Sequence, residues 1–307
     1  MKRTAAGLLV LLILLAACST GGGDATDSDG LEHPTAADEA IFVIDSAGGF
    51  VPIEFSVTRT PTFVLLGDGR VVIQGMQTLE FPGPALSPLM QRTLTEGGIQ
   101  EILRLIDDTN LFTADLDLRG AANMVADASD TIFTFNGAGR EVTVSVYGLG
   151  TITPMRGGEL PPGISSAEME AHAVLLQLND RIVTLDTWLP EDAWEAPGWL
   201  PYEPDALRLH VRDVTGQPVE GGDMPQQRRP WPTAADPAAF GEPTSFGDGT
   251  RCGVVEGEEA AIWFEALSLA NQLTMWSPES DPDRRFSVSA RPLLPHEDAS
   301  CPENTGT

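Results

Sequence analysis

Residues that could carry chemistry are few in this 307-residue chain, which has only three cysteines and four histidines. No His-Glu-x-x-His motif and no phosphate-binding glycine loop surrounds the histidines, which are His33, His172, His210 and His296. The closest string to a Gly-x-Ser-x-Gly nucleophile elbow is Gly163-Ile164-Ser165-Ser166-Ala167, where Ser165 is better explained as a helix cap. A serine-type triad is therefore unmarked, and the sequence identifies no catalytic residue.

Metal-binding patterns are equally weak. Asp115-Leu116-Asp117 and the segment 127–130 bracket a short loop whose carboxylates could bind Ca²⁺, but the EF-hand spacing is absent. His296-Glu297-Asp298 is a second, weaker metal-binding candidate at the surface. Aspartate-rich loops are usually only solvated, so we predict neither a metal nor another cofactor. Calcium remains an alternative.

The chemistry of Cys18 is better marked than that of any other residue. A basic start, Met1-Lys2-Arg3, precedes the apolar stretch 5–17, which is shorter than the roughly 20 residues that span a membrane. The stretch ends in Leu15-Ala16-Ala17-Cys18, which resembles the lipobox of bacterial lipoprotein precursors. The resemblance implies cleavage of a signal peptide, residues 1–17, and a diacylglycerol on the Cys18 thiol. It places the protein on the cell membrane, lipid-anchored at the extracytoplasmic face.

Composition describes the rest of the chain in broad terms. Residues 18–40 are rich in Gly, Ser, Thr, Asp and Ala, which predicts a flexible tether. The formal net charge of −27 argues against nucleic acid as a partner, because phosphate backbones attract basic surfaces. Lys2 is the only lysine, so every basic residue beyond the predicted signal peptide is an arginine.

Two cysteines remain once Cys18 carries lipid. In an exported protein such a pair usually forms a disulfide, and we predict a bridge between Cys252 and Cys301. A metal or redox pair is the weaker alternative, because no second cysteine or histidine lies near Cys252 in the sequence.

Periodicity predicts an α+β fold made of antiparallel β-hairpins with covering helices, in two closely packed subdomains. Turn signals at Gly67-Asp68-Gly69-Arg70 and Asn136-Gly137-Ala138-Gly139 predict two hairpins. The predicted strands cover residues 62–66, 71–74, 131–135, 141–147, 207–214 and 286–290, and the predicted helices cover 98–110, a stretch from Ser165, and 257–276. The predicted domains are an N-terminal subdomain (41–200), a C-terminal subdomain (201–301) and a disordered tail (302–307).

Aromatic residues stand in a proline-rich connection, residues 189–207. Trp194, Trp199 and Tyr202 are the candidate binding residues, because such rings form platforms for glycans, peptides or partner proteins. The alternative is a packed seam between the two halves, and we favour it. His172, on the apolar stripe of the second helix, is interpreted as a packed, hydrogen-bonded histidine.

Several short segments resemble secreted lipoproteins of actinobacteria and other high-GC bacteria. They are residues 62–69, 127–150 in part, Trp231-Pro232, and Arg291-Pro292-Leu293-Leu294-Pro295-His296-Glu297 leading to Cys301. The resemblance implies no particular activity.

The sequence favours a non-catalytic binding or scaffolding module of the cell envelope, with the membrane and an envelope protein or glycan as partners. An envelope hydrolase with an unmarked carboxylate or histidine site is the first alternative, and a calcium-stabilised surface module is the second. Acidic and histidine side chains converging in one pocket would favour the enzyme. An exposed aromatic groove without titratable groups would favour binding.

Overall fold

A computed structural model describes residues 30–77, 80–123, 125–152, 159–218 and 226–302. The described residues from Leu31 onward belong to one compact unit of the α+β class, with two mixed β-sheets and four α-helices. The predicted fold class is therefore confirmed. Cys18, the predicted signal peptide and most of the predicted tether lie outside the described residues. None of the described helices is both long enough and apolar enough to cross a membrane.

Fourteen strands and four α-helices make up this described part. The helices are α1 (Ile53–Thr58), α2 (Glu96–Asp107), α3 (Ser166–Val183) and α4 (Gly257–Ser268). The strands are β1 (Ala40–Gly48), β2 (Phe63–Leu66), β3 (Arg70–Gln74), β4 (Leu89–Thr93), β5 (Leu116–Leu118), β6 (Ser129–Gly137), β7 (Arg140–Tyr147), β8 (Leu200–Pro201), β9 (Ala206–Asp213), β10 (Arg228–Pro230), β11 (Glu242–Pro243), β12 (Arg251–Glu256), β13 (Met275–Ser277) and β14 (Phe286–Pro292).

The first sheet has eight strands in the order β5-β7-β6-β1-β2-β3-β4-β8, and only the β5–β7 pair is parallel. Its central strand β1 is buried on both faces. Phe42 and Ile44 belong to the core that α2 and α3 cover, whereas Val43 packs with Tyr202 and Leu294 on the opposite face. Burial on both faces explains the uninterrupted apolar run 41–44.

The second sheet has six strands in the order β10-β13-β14-β9-β12-β11, with one parallel pair, β10–β13. One face carries the core of this sheet, in which Trp263 of α4 packs with Leu207, Leu209 and Val211 of β9 and with other buried apolar residues. Because side chains alternate along a strand, Arg208, His210 and Arg212 lie on the opposite face. The second sheet therefore has one apolar face and one polar face.

Both predicted hairpins are present. β2 pairs with β3 across the first turn, and β6 pairs with β7 across the second. The predicted cap of α3 is also present, since Ser165 Oγ accepts a hydrogen bond from Glu168 N at 3.1 Å. The carboxylate of Glu168 does not complete a capping box; it accepts a hydrogen bond from Gly120 N.

The predicted helix over 257–276 is too long. α4 ends at Ser268, and residues 275–277 form β13 instead. Polar side chains turn the chain between them: Asn271 Oδ1 accepts a hydrogen bond from Leu273 N, and Thr274 Oγ1 accepts one from Asn271 N. Such local side-chain bonds compete with helical ones, and the apolar periodicity does not reveal them.

The described part of the predicted tether, from Leu31 to Glu39, makes specific contacts with the body. Leu31 exchanges two hydrogen bonds with the side chain of Gln100, and Ala138 N donates to Glu32 O. His33 Nε2 lies 3.2 Å from Glu96 Oε1. The compact body therefore begins at Leu31. The predicted subdomain boundary near residue 200 falls within β8, and the division into subdomains stays a prediction.

Candidate functional site

A cavity of about 460 Å³ lies where the polar face of the second sheet meets the end of β1 and helix α1. We name it the inter-sheet cavity. The side chains that give it its chemical character are Asp45, Arg59, Arg208, His210, Phe246 and Arg291. Histidine, carboxylate and guanidinium groups therefore share the wall of this cavity.

The register of the strand pairs places several of these side chains on the same face of the second sheet. His210 of β9 is directly opposite Ser289 of β14 and Cys252 of β12, and Arg208 is directly opposite Arg291. Directly paired residues point to the same face of a sheet. One polar face thus collects basic and hydroxyl groups from three neighbouring strands, while the alternate residues of β9 form the core beneath.

Three guanidinium groups are fixed by hydrogen bonds. Arg59 donates to Ser46 O at 3.0 Å and to Gly48 O at 3.1 Å. Arg208 donates to Ser300 O at 2.7 Å and to Asp298 O at 3.4 Å. These bonds hold the two cationic groups against the carbonyls of β1 and of the C-terminal segment, so the cations are in place without a ligand.

Arg291 is the most constrained of the three. Its Nε donates to Arg59 O, and its two terminal nitrogens form a bidentate pair with Glu297 at 2.9 and 2.5 Å. This pairing and the Leu294 N–H lower the pKa of Glu297, although burial opposes them. In the weak metal-binding candidate His296-Glu297-Asp298, the glutamate thus pairs with an arginine.

His210 is 5% exposed, and its Nδ1 has no hydrogen-bond partner among the described residues. Its ring stacks on Phe246, with centroids 6.0 Å apart and planes 20° apart. Burial, with a further contribution from the positive charge of Arg208, lowers the pKa of His210 to about 4. The imidazole is thus neutral at pH 7 and has one N–H donor and one acceptor nitrogen.

Asp45 has the opposite shift. Burial raises its pKa, and this effect outweighs the hydrogen bond from Ser46 N and the attraction of Arg291 and Arg59. Asp45 Oδ1 accepts the Ser46 N–H at 2.7 Å. The inter-sheet cavity therefore contains a carboxylate and an imidazole whose neutral forms are both favoured by burial.

Helix α1 forms the outer, apolar wall of the cavity with Ile53 and Val57. It has six residues, none of them buried, and it packs against β14. Phe55 within the helix is 56% exposed, and Phe50 just before it is 89% exposed. A helix this short has little stability of its own, so its position depends on its contacts with the sheet.

The predicted aromatic residues lie elsewhere. Trp194 and Tyr202 are each 6% exposed, and Trp199 is half-buried with its ring centroid 5.7 Å from that of Trp194. Trp199 Nε1 donates to Asp186, and Tyr202 Oη donates to Leu293 O. None of the three lines the inter-sheet cavity. Their proposed role in binding stays a prediction.

The aspartates of the alternative calcium loop make other contacts. Asp117 and Asp130 both pair with Arg119, and Asp115 accepts a hydrogen bond from Thr143 N. Within the described ranges, no group of three or more His, Cys, Asp or Glu residues could hold a metal ion.

The predicted disulfide partners meet at the cavity. The Cys252 and Cys301 sulfurs are at bonding distance, with Cα atoms 6.0 Å apart, and Cys252 lines the inter-sheet cavity. The link attaches β12 to the C-terminal segment whose carbonyls bind Arg208. The disulfide therefore fixes one wall of the cavity.

Among the cavity residues, His210 was considered in the sequence only as one of four histidines, Cys252 as a disulfide partner and Arg291 as part of a segment of the resemblance. The missed signal is the alternation Leu207-Arg208-Leu209-His210-Val211-Arg212, which is typical of a strand with one apolar and one basic face. Asp45 and Arg59 carry no comparable pattern. No protein-family model matches the chain, and comparison with curated proteins and with solved structures gave no significant match.

Proposed function

We propose that this protein is a lipid-anchored, extracytoplasmic, non-catalytic module of the cell envelope that binds a ligand in the inter-sheet cavity. The volume of about 460 Å³ lies in the usual range for ligand pockets, roughly 300–1,000 Å³. The lipid anchor is supported by the lipobox pattern at Cys18. The membrane is thus the first partner, and an envelope component is the expected source of the ligand.

One observation carries the binding proposal. The buried His210 has a ring nitrogen without a partner among the described residues, beside a cavity large enough to hold a ligand. Leaving a buried polar atom unpaired costs about 1–3 kcal/mol, and buried polar groups are normally satisfied. This nitrogen is closed to solvent in the structure. A ligand recovers the cost only after a side-chain movement that exposes the nitrogen to the cavity.

A hydrolase is the second candidate, and one observation favours it. Asp45 and His210 line the same cavity and have pKa values shifted in opposite directions, an arrangement that suits acid–base chemistry. A panel of chromogenic esters and glycosides tests it on the wild type and on His210→Gln. We expect no difference between the two proteins. Turnover that disappears in His210→Gln would contradict the non-catalytic proposal.

Binding is tested on the native, full-length protein extracted from membranes with mild detergent. Mass spectrometry of the denatured sample identifies small molecules that were bound. Ser56→Trp places a large ring on the cavity side of α1, and Thr58→Trp is the matched control because Thr58 borders a separate groove. We expect one compound in the wild type and in the control, and its loss in Ser56→Trp. A folded wild type that releases nothing would contradict the proposal.

The anchor is tested separately with Cys18→Ala. This variant should lose the acyl group and either stay unprocessed or leave the membrane fraction. An unmodified mature N-terminus at Cys18 in the wild type would contradict lipidation, and so would a mature N-terminus at another residue.

A further inference from the structure

The inter-sheet cavity has a surplus of hydrogen-bond donors. Arg59, Arg208 and Arg291 together make seven hydrogen bonds within the described residues. Each guanidinium has five N–H groups, so more than half of their N–H groups have no acceptor among the residues that the structure describes. The main acceptor in the wall is Asp45, and one of its oxygens already accepts the Ser46 N–H. A complementary ligand must therefore supply acceptors.

The charges at the cavity also indicate a ligand that supplies hydrogen-bond acceptors. The whole chain has a formal net charge of −27, yet the cavity is lined by three arginines and one carboxylate. Even when Glu297, the partner of Arg291, is counted, cations outnumber carboxylates at this place. A local positive field on a negative protein attracts anions to that site.

The cavity wall also has an apolar part, beside the hydroxyl groups of its serines and threonine. Ile53 and Val57 of α1 lie on one side, and the stacked pair of His210 and Phe246 lies on another. A bare inorganic ion would leave these surfaces without contacts. An organic group attached to the anion would cover them, and apolar burial would add to its affinity.

We infer that the ligand of the inter-sheet cavity is a small organic oxyanion, with a carboxylate or phosphate head at the arginines and an apolar body between α1 and Phe246. This inference rests on the proposed binding function and specifies its ligand. Arginine forks match both head groups by paired N–H donors, so the shared chemistry is the oxyanion.

Calorimetric titration of the full-length protein with a matched probe panel tests the inference. The anionic probes are benzoate and phenyl phosphate, their neutral counterparts are benzamide and benzyl alcohol, and acetate and inorganic phosphate are heads without a body. We expect at least one aromatic anion to bind about tenfold more tightly than every other class, and to weaken between about 50 and 500 mM NaCl. Benzoate and phenyl phosphate then distinguish a carboxylate from a phosphate site.

Variants locate the binding. Arg59→Gln removes one cavity charge and should raise Kd about tenfold, whereas Arg59→Lys keeps the charge but loses the paired N–H donors and should raise Kd by a smaller factor. The matched control is Arg104→Gln, which removes the same charge from the exposed surface of α2 and should leave Kd unchanged. Equal loss in both glutamine variants would show a general charge effect and overturn the inference.

The wild type alone can also overturn the inference, even if a variant fails to fold. Neutral probes that bind as tightly as the anions would do so, as would the failure of every probe to bind. If acetate or phosphate bound as tightly as the aromatic anions, the inferred apolar body of the ligand would be wrong. A neutral compound in the native extract would defeat the oxyanion but leave the proposed function standing, whereas an extract without any compound would defeat the function itself.

Discussion

The two sheets differ in whether one or both of their faces are buried. In the first sheet, all four residues of β2 are buried, because helices cover one face and a second apolar cluster covers the other. In the second sheet, β9 alternates, with its leucines and Val211 toward α4 and its basic residues toward α1. The first sheet gains a core on both faces. The second leaves one face polar, and that face holds the cavity.

The covering helices show the same contrast. α2 has 12 residues, of which six are buried against the first sheet, whereas α1 has six residues and buries none. Apolar burial is the main source of stability, so α2 contributes to folding far more than α1. We infer that apolar burial in the first sheet offsets the small stability contributed by the polar face of the second sheet.

The largest difference in stability is expected between a substitution in the core of the first sheet and one on the polar face of the second sheet. Phe42 is fully buried and contacts four other phenylalanine rings, so Phe42→Ala should lower the free energy of unfolding by about 3–5 kcal/mol. Ser289→Ala, on the polar face of β14, should change it by less than about 0.5 kcal/mol. Urea denaturation measures both, and equal losses would break the comparison.

Removing the disulfide should have the next largest effect. Cys252 and Cys301 are 49 positions apart, and chain-entropy arguments give about 4 kcal/mol for a loop of this length. Cys301→Ser should therefore destabilise the protein and free the C-terminal segment that binds Arg208. Denaturation of oxidised and reduced wild type is the control, since reduction should reproduce the effect of the variant. An unchanged unfolding midpoint would show that the link does not support this wall.

The sequence predicts four of the eight strands of the first sheet, β2, β3, β6 and β7, but not its central strand β1. The hairpins carry local turn signals, and Ile99, Ile102, Leu103 and Ile106 mark α2 by their spacing. β1 has no alternation because both of its faces are buried, so its pairing with β2 and β6 depends on contacts distant in sequence. Single-sequence periodicity does not contain this information.

The candidate site was harder to predict from the sequence, for a related reason. Its residues come from β1, the α1 segment, β9 and β14, and they meet only through strand order and register. The aromatic residues attracted attention because ring-rich connections often bind ligands, yet two of the three are buried. Residue type alone does not separate an exposed tryptophan from a packed one.

Lowering the pH should destabilise the protein through His210, a titratable group on the polar face of the second sheet. The pKa of His210 is lowered from 6.5 to about 4, so the unfolded chain binds a proton that the folded chain does not. Stability from this group is complete above about pH 6.5 and falls as the pH decreases toward 4, by about 3 kcal/mol at most. Urea denaturation at pH 7, 5 and 4 should show a smaller loss for His210→Gln than for the wild type.

Other groups do not disturb this comparison, because both proteins contain them. His172 and His296 also have lowered pKa values caused by burial, and Asp45 has a raised pKa that acts in the opposite direction. Parallel pH profiles for the wild type and His210→Gln would show that His210 titrates normally and that this part of the face is open to water.

The smallest expected effect concerns the hairpin turn of the first sheet. Gly137 pairs with Arg140, and the two residues between them, Ala138 and Gly139, have φ values of 52° and 70°. A two-residue turn with both φ values positive favours Asn-Gly, and alanine is unfavourable in this left-handed region. Ala138→Asn should therefore raise the free energy of unfolding by about 0.5–1 kcal/mol, measured by urea denaturation.

Two features make this turn a useful test of the contrast between the sheets. Two of the three non-glycine residues with positive φ in the described structure are Asn110 and Asp127, side chains that tolerate this conformation, and Ala138 is the exception. The residue lies outside the inter-sheet cavity, so relieving its strain should leave probe binding unchanged. Ala138→Val is the control and should destabilise the turn, because branching at Cβ worsens the clash. A gain in stability accompanied by altered probe binding would mean that the first sheet does more than support the cavity.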